Sequence, residues 1–136
     1  MPEGAAKLPQ VLAVDDSPIV LEMVRRILKD DYQVLLADNA VEALSKIYHE
    51  PISVLLLDVS MPQIDGLELC RTVRNLPQFR NLPIVMITSR DKAFDRVQGR
   101  MAGATEYLTK PFEAQQLKQI VDRLTRSTES PAGSVA

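Results

Sequence analysis

Asp15 and Asp16 stand side by side, Asp58 ends an apolar run, and Lys110 precedes a proline. Thr88 and Ser89 close another aliphatic stretch. Three carboxylates held close together repel, and one is pushed toward protonation unless a cation joins them. Hard oxygen donors without histidine or cysteine favour Mg2+ or Mn2+ over zinc. A divalent ion held by only a few protein oxygens keeps positions for water or phosphate. That chemistry suits phosphoryl transfer, with Asp58 attacking phosphorus as an oxygen nucleophile to give an aspartyl phosphate. A metal, Lys110 and the Thr88 hydroxyl would offset charge on the equatorial oxygens. Taken singly, each residue has a plainer role: Asp as turn residue, Thr or Ser as cap, Lys as solvated charge. Those readings fail together if the residues share one pocket.

The elements around them bring this about. Val54-Leu55-Leu56-Leu57 runs straight into Asp58, as a strand buried on both faces does. Val11–Val14, Val34–Ala37, Pro83–Thr88 and Glu106–Thr109 read as the other strands. Between them lie helical stretches. Ser17-Pro18 caps the first, whose Ile19, Val20, Met23, Val24, Ile27 and Leu28 are spaced as a buried face. Asn39 with Glu42 resembles a capping box for the second, which buries Ala40, Ala43, Leu44 and Ile47. Leu69, Cys70, Val73 and Leu76 mark a third helix after the Asp65-Gly66 turn. Phe94, Val97 and Met101 mark a fourth, closed by Gly103 in the left-handed position. Leu117, Ile120, Val121 and Leu124 mark the last.

Strand and helix therefore alternate five times, which predicts an α/β fold: a five-stranded parallel sheet, doubly wound, with helices on both faces. Right-handed crossovers place every strand C-terminus on one edge, where ligands bind in such sheets. That edge collects Asp15, Asp16, Asp58, Thr88 and Lys110.

The totals agree with one such domain. The chain has 136 residues, 46% hydrophobic and 25% charged, with net charge −2. Without an overall cationic field, direct nucleic-acid binding is not expected. No apolar run reaches the roughly 18 residues of a membrane span, and the start lacks a signal-peptide pattern, so a cytoplasmic domain is expected. Residues 1–8 read as a flexible leader, 9–126 as the domain, and 127–136 as a flexible tail or the start of a linker. Cys70 is expected as a core thiol and His49 at the surface, with Arg71 and Arg74 solvating a helix. Arg90, Lys92, Arg96 and Arg100 give the fourth helix a basic character that suits a solvated face or an acidic partner.

Val14-Asp15-Asp16-Ser17, Leu57-Asp58-Val59-Ser60-Met61-Pro62 through Asp65-Gly66, Thr88-Ser89, Gly103-Ala104, Tyr107 and Lys110-Pro111-Phe112 together carry a specific resemblance. Over about residues 9–126 the chain resembles the receiver domain of bacterial two-component response regulators, close to the single-domain chemotaxis and twitching-motility type. The resemblance implies a flavodoxin-like receiver fold with strand order 2-1-3-4-5. It implies that Asp58 accepts phosphate from the phosphohistidine of a histidine kinase or phosphotransfer protein. Mg2+ (or Mn2+) would be held in an acid pocket of Asp15, Asp16 and Asp58, with the Ser60 backbone carbonyl as a further ligand. Lys110 would contact the phosphoryl group and precede a cis proline. Thr88 and Tyr107 would form the switch that changes the surface of the fourth helix, fifth strand and fifth helix, where a downstream target docks.

Three functions are distinguishable. A phosphorylation-controlled signalling module has no catalytic output beyond limited self-phosphotransfer and autodephosphorylation. An Mg2+-dependent aspartyl-phosphate phosphatase or phosphotransferase of haloacid-dehalogenase type needs an Asp two residues after the nucleophile, where Ser60 stands. A constitutive interaction domain would have no need of the full acidic set. No effector segment follows residue 127 in this sequence, which fits a docking or phosphorelay protein or a receiver fragment of a larger regulator.

Overall fold

Val11 to Val14 and all of Ile84–Thr88 are buried, and strands covered on both sides carry no polar alternation. In the computed structural model, which describes residues 8–59, 66–88, 100 and 102–129, they belong to a five-stranded parallel sheet. Its strands are β1 (Gln10–Val14), β2 (Gln33–Ala37), β3 (Ile52–Asp58), β4 (Ile84–Thr88) and β5 (Glu106–Thr109). They lie in the order β2-β1-β3-β4-β5, as expected. The helices are α1 (Pro18–Leu28), α2 (Ala40–His49), α3 (Gly66–Arg74) and a C-terminal helix (Ala114–Glu129).

The two-residue period of the strands sorts the core into two layers. Val11, Ala13, Val54, Leu56, Val85 and Ile87 pack under α1 and the C-terminal helix. Leu12, Val14, Leu55, Leu57, Ile84 and Met86 pack under α2 and α3. The register pairs Val14 with Leu57 and Asp58 with Ile87, which brings Asp58 to the edge; a one-residue slip of β3 would exchange its two layers. Each fully buried aliphatic side chain contributes about 1.5–3 kcal/mol over exposure.

Local signals start the helices where expected. Ser17 Oγ accepts from the Val20 N–H at 3.3 Å, with Pro18 first in α1. Asn39 Oδ1 accepts from the Glu42 N–H at 2.8 Å, while the Glu42 carboxylate pairs with Lys46 at 3.2 Å. Gly103 has φ 106°, the left-handed conformation that a glycine takes without strain. Cys70 is buried and His49 exposed, both as expected.

Three expectations are corrected. Leu21, Val24 and Leu28 form the buried face of α1, whereas Ile19 is 81% exposed and Met23 39%. At 3.6 residues per turn Ile19 and Met23 lie on the side of the helix away from Leu21. Arg74 does not merely solvate α3: its guanidinium donates to Gly103 O at 2.7 and 3.1 Å, Phe79 O at 3.0 Å and Arg80 O at 2.9 Å. Those carbonyls come from two loops that the sequence spacing does not bring to α3. The C-terminal helix runs on through Glu129, past the boundary expected at 126. No glycine or proline interrupts the chain before Pro131.

Of the expected fourth helix, Phe94, Val97 and Met101 lie outside the described residues, as do Arg90, Lys92 and Arg96. Arg100 and Ala102 are helical, and Arg100 is exposed. Among the described residues, no helix is long and apolar enough to cross a membrane.

Candidate functional site

Asp15 directly follows β1, Asp58 ends β3, Thr88 ends β4 and Lys110 directly follows β5. The parallel sheet therefore delivers all four to one edge, Asp15 and Asp58 on neighbouring strands. Asp15, Asp58 and Thr88 are buried and Asp16 is exposed. One carboxylate oxygen from each of Asp15, Asp16 and Asp58 lies within 4.8 Å of the others. Lys110 Nζ lies 3.1 Å from Asp15 Oδ2 and 3.6 Å from Asp58 Oδ2.

Backbone bonds hold the constellation. The Ser17 N–H donates to Asp15 Oδ1 at 2.9 Å, so the residue that caps α1 also orients the carboxylate. The Val59 N–H donates to Ile87 O at 3.0 Å and the Lys110 N–H to Thr88 O at 2.5 Å, tying the ends of β3, β4 and β5 together. The Lys110–Pro111 bond is cis. Tyr107 stands opposite Met86 on β5, half-buried and set back from the edge. Ser60 lies outside the described residues.

Burial raises the pKa of Asp15, and the charge of Asp58 raises it further; the Ser17 N–H and Lys110 act in the opposite direction. One ammonium against three carboxylates leaves a surplus of negative charge among hard oxygen donors. The acidic cluster could hold a small divalent cation. The raised pKa has a consequence for stability. The folded chain holds the Asp15 proton more tightly than the unfolded chain, whose value is near the ordinary 3.8. This contribution is therefore full below 3.8 and lost as pH rises through the higher folded value. Asp15→Asn is expected to remove that loss and to stabilise the metal-free chain at neutral pH by about 0.5–2 kcal/mol. Urea unfolding in chelator, from about pH 4 to about pH 7, measures it; equal pH slopes for parent and variant would refute it.

Gly66, expected only as a turn residue, makes a contact at the site that the sequence spacing does not announce. It begins α3 directly against the backbone of Asp58. An invariant need for glycine cannot be told from ordinary turn chemistry in an Asp-Gly pair.

A doubly wound parallel sheet thus carries an acidic cluster and a lysine at its carboxyl edge. The chain belongs to the response regulator receiver domain family, which matches it over residues 11–122. Response regulator MprA of Mycobacterium leprae is 43% identical over 130 residues, covering 93% of this chain and 56% of that protein. The chain thus spans about half the length of the curated relatives it matches. Among solved structures, chemotaxis response regulator CheY4 of Vibrio cholerae is similar, with TM-score 0.81 and 35% identity over 87% of this chain and 99% of that one. The BeF3-activated DrrB receiver domain is similar at TM-score 0.79 and 26% identity, over 88% and 98% of the two chains.

Proposed function

We propose that this chain is a phosphorylation-activated switch in which Asp58 is the phosphoacceptor. The observation that carries the reading is the buried Asp58 carboxylate at the end of β3, gathered with Asp15, Asp16 and Lys110. An Asp58 oxygen forms a bond to phosphorus as the bond to the donor imidazole of a histidine kinase or phosphotransfer protein breaks. The freed imidazole takes up a proton. Mg2+ held by Asp15, Asp16 and Asp58, with the Ser60 carbonyl, would supply positive charge for the phosphoryl oxygens when bound. Lys110 exchanges part of its pairing with Asp15 for the incoming oxygens, and the Thr88 hydroxyl donates to one of them. The similar DrrB receiver domain is activated by BeF3, a phosphoryl mimic, which supports a phosphorylation switch in this chain.

Aspartyl phosphate adds charge and acceptor oxygens beside Thr88. A turn of Thr88 toward them leaves room for Tyr107 to move inward. The surface made by the fourth helix, β5 and the C-terminal helix changes, and with it the affinity for a target protein. The fold then serves a cytoplasmic two-component pathway as a signalling domain, and hydrolysis of its own phosphate limits the signal.

Acetyl phosphate with Mg2+ tests the reading. One phosphoryl group per chain, located on Asp58 by mass spectrometry of borohydride-trapped peptides and absent when chelator is added, is the expected result. Multiple turnover of small phosphoesters would replace the switch with a phosphatase. Absence of label, with partner binding indifferent to the donor, would make the chain a constitutive interaction domain.

A further inference from the structure

Gly66 is the first residue of α3 and is buried. A Cβ at this position would lie 2.6 Å from Asp58 O, 2.7 Å from Val59 Cα and 3.3 Å from Asp58 C. All three atoms are backbone, so no side chain can swing aside. Ordinary contact distances of about 3.5 Å would require the Asp58–Val59 peptide, or α3, to move by nearly 1 Å. The same peptide is anchored on its other side, where the Val59 N–H donates to Ile87 O at 3.0 Å. Its plane fixes the direction in which the Asp58 side chain leaves the backbone.

We infer that Gly66 is a positioning residue for the phosphoacceptor: its bare Cα lets α3 close on the Asp58–Val59 peptide and sets where the Asp58 carboxylate points. The inference rests on the phosphoacceptor reading above. Misplacing a reacting group by about 1 Å can cost about a hundredfold in rate. A second glycine supplies the control. Gly103 has φ 106°, and a Cβ there would meet the Arg74 side chain at 2.9 Å. It lies at the opposite edge of the sheet, next to the start of β4, where the Thr105 N–H donates to Ile84 O. Gly66→Ala and Gly103→Ala should both lose stability, but only the first disturbs Asp58.

The test compares the full chain with both variants. Labelling rates with acetyl phosphate and Mg2+ are normalised to the folded fraction from circular dichroism. Exchange of the Val59 amide is followed by NMR, and Mg2+ affinity by calorimetry. A variant that is unfolded in buffer is refolded with trimethylamine N-oxide, and all three proteins are compared in that solvent. Gly66→Ala is expected to label at least about tenfold more slowly per folded molecule, with faster Val59 exchange and weaker Mg2+ binding. Gly103→Ala should match the parent in all three. Parent-like labelling and Val59 exchange in folded Gly66→Ala would overturn the inference. If the parent itself takes no label, the phosphoacceptor reading fails, and Val59 exchange with Mg2+ affinity still decides whether Gly66 sets the Asp58 backbone.

Discussion

The Asp58→Asn protein is expected to take no phosphoryl group from acetyl phosphate under conditions where the parent takes one per chain. Asparagine keeps the size and shape of the side chain but replaces the nucleophilic carboxylate oxygen with an amide. Asp15 and Asp16 do not substitute for it: Asp15 is committed to the Ser17 N–H and to Lys110, and Asp16 is exposed at the rim. Folding should survive, because one of three repelling carboxylates is removed; about 1 kcal/mol of added stability in chelator is expected. Intact-mass spectrometry and urea unfolding read the two effects. A label on the variant, at any residue, would move the acceptor elsewhere.

Lys110→Ala carries the largest expected cost in stability. Lys110 Nζ serves two buried carboxylates, at 3.1 and 3.6 Å, and is itself 23% exposed. Removing it leaves Asp15 and Asp58 as like charges in a pocket from which most water is excluded. Breaking one partner out of a buried pair costs about 3–5 kcal/mol, and the partial exposure of Lys110 places this case near 3 kcal/mol. Lys110→Met, which keeps an apolar chain of similar length, separates charge from packing. Both variants should label about a hundredfold more slowly, as expected for a lost oxyanion donor. Labelling of Lys110→Met at the parent rate would leave Lys110 a purely structural counter-ion.

The sheet and the polar edge were legible because their signals are local. Short continuous apolar runs ending in Asp15, Asp58 and Thr88, bounded by turn residues, fit buried parallel strands that stop there. Ser17 and Asn39 announced their helices through bonds made within three residues. What failed was whatever depends on a partner distant in the chain. Ile19 and Met23 belong to an apolar stripe wider than the face that packs, and only the sheet decides which edge of the stripe is covered. Arg74 looks like any helix-surface arginine until Gly103, Phe79 and Arg80 offer it carbonyls. Gly66 reads as a turn because glycine is permitted there; that it is required follows only from the Asp58 backbone beneath it.

Side-chain length at the edge follows strand order. Neighbouring strands are about 4.8 Å apart. Two aspartates at the ends of the adjacent β1 and β3 are therefore brought near each other by strand spacing, and Ser17 and Gly66 then set how their carboxylates point. Thr88 ends β4, one strand further along. Lys110 comes from β5, at the sheet's margin, and still reaches Asp15 beyond β3 because its stem is four carbons long. The sheet is thus a graduated ruler. The strand-to-strand spacing of the reactive groups is set by hydrogen bonds between strands and not by the outer faces of the helices.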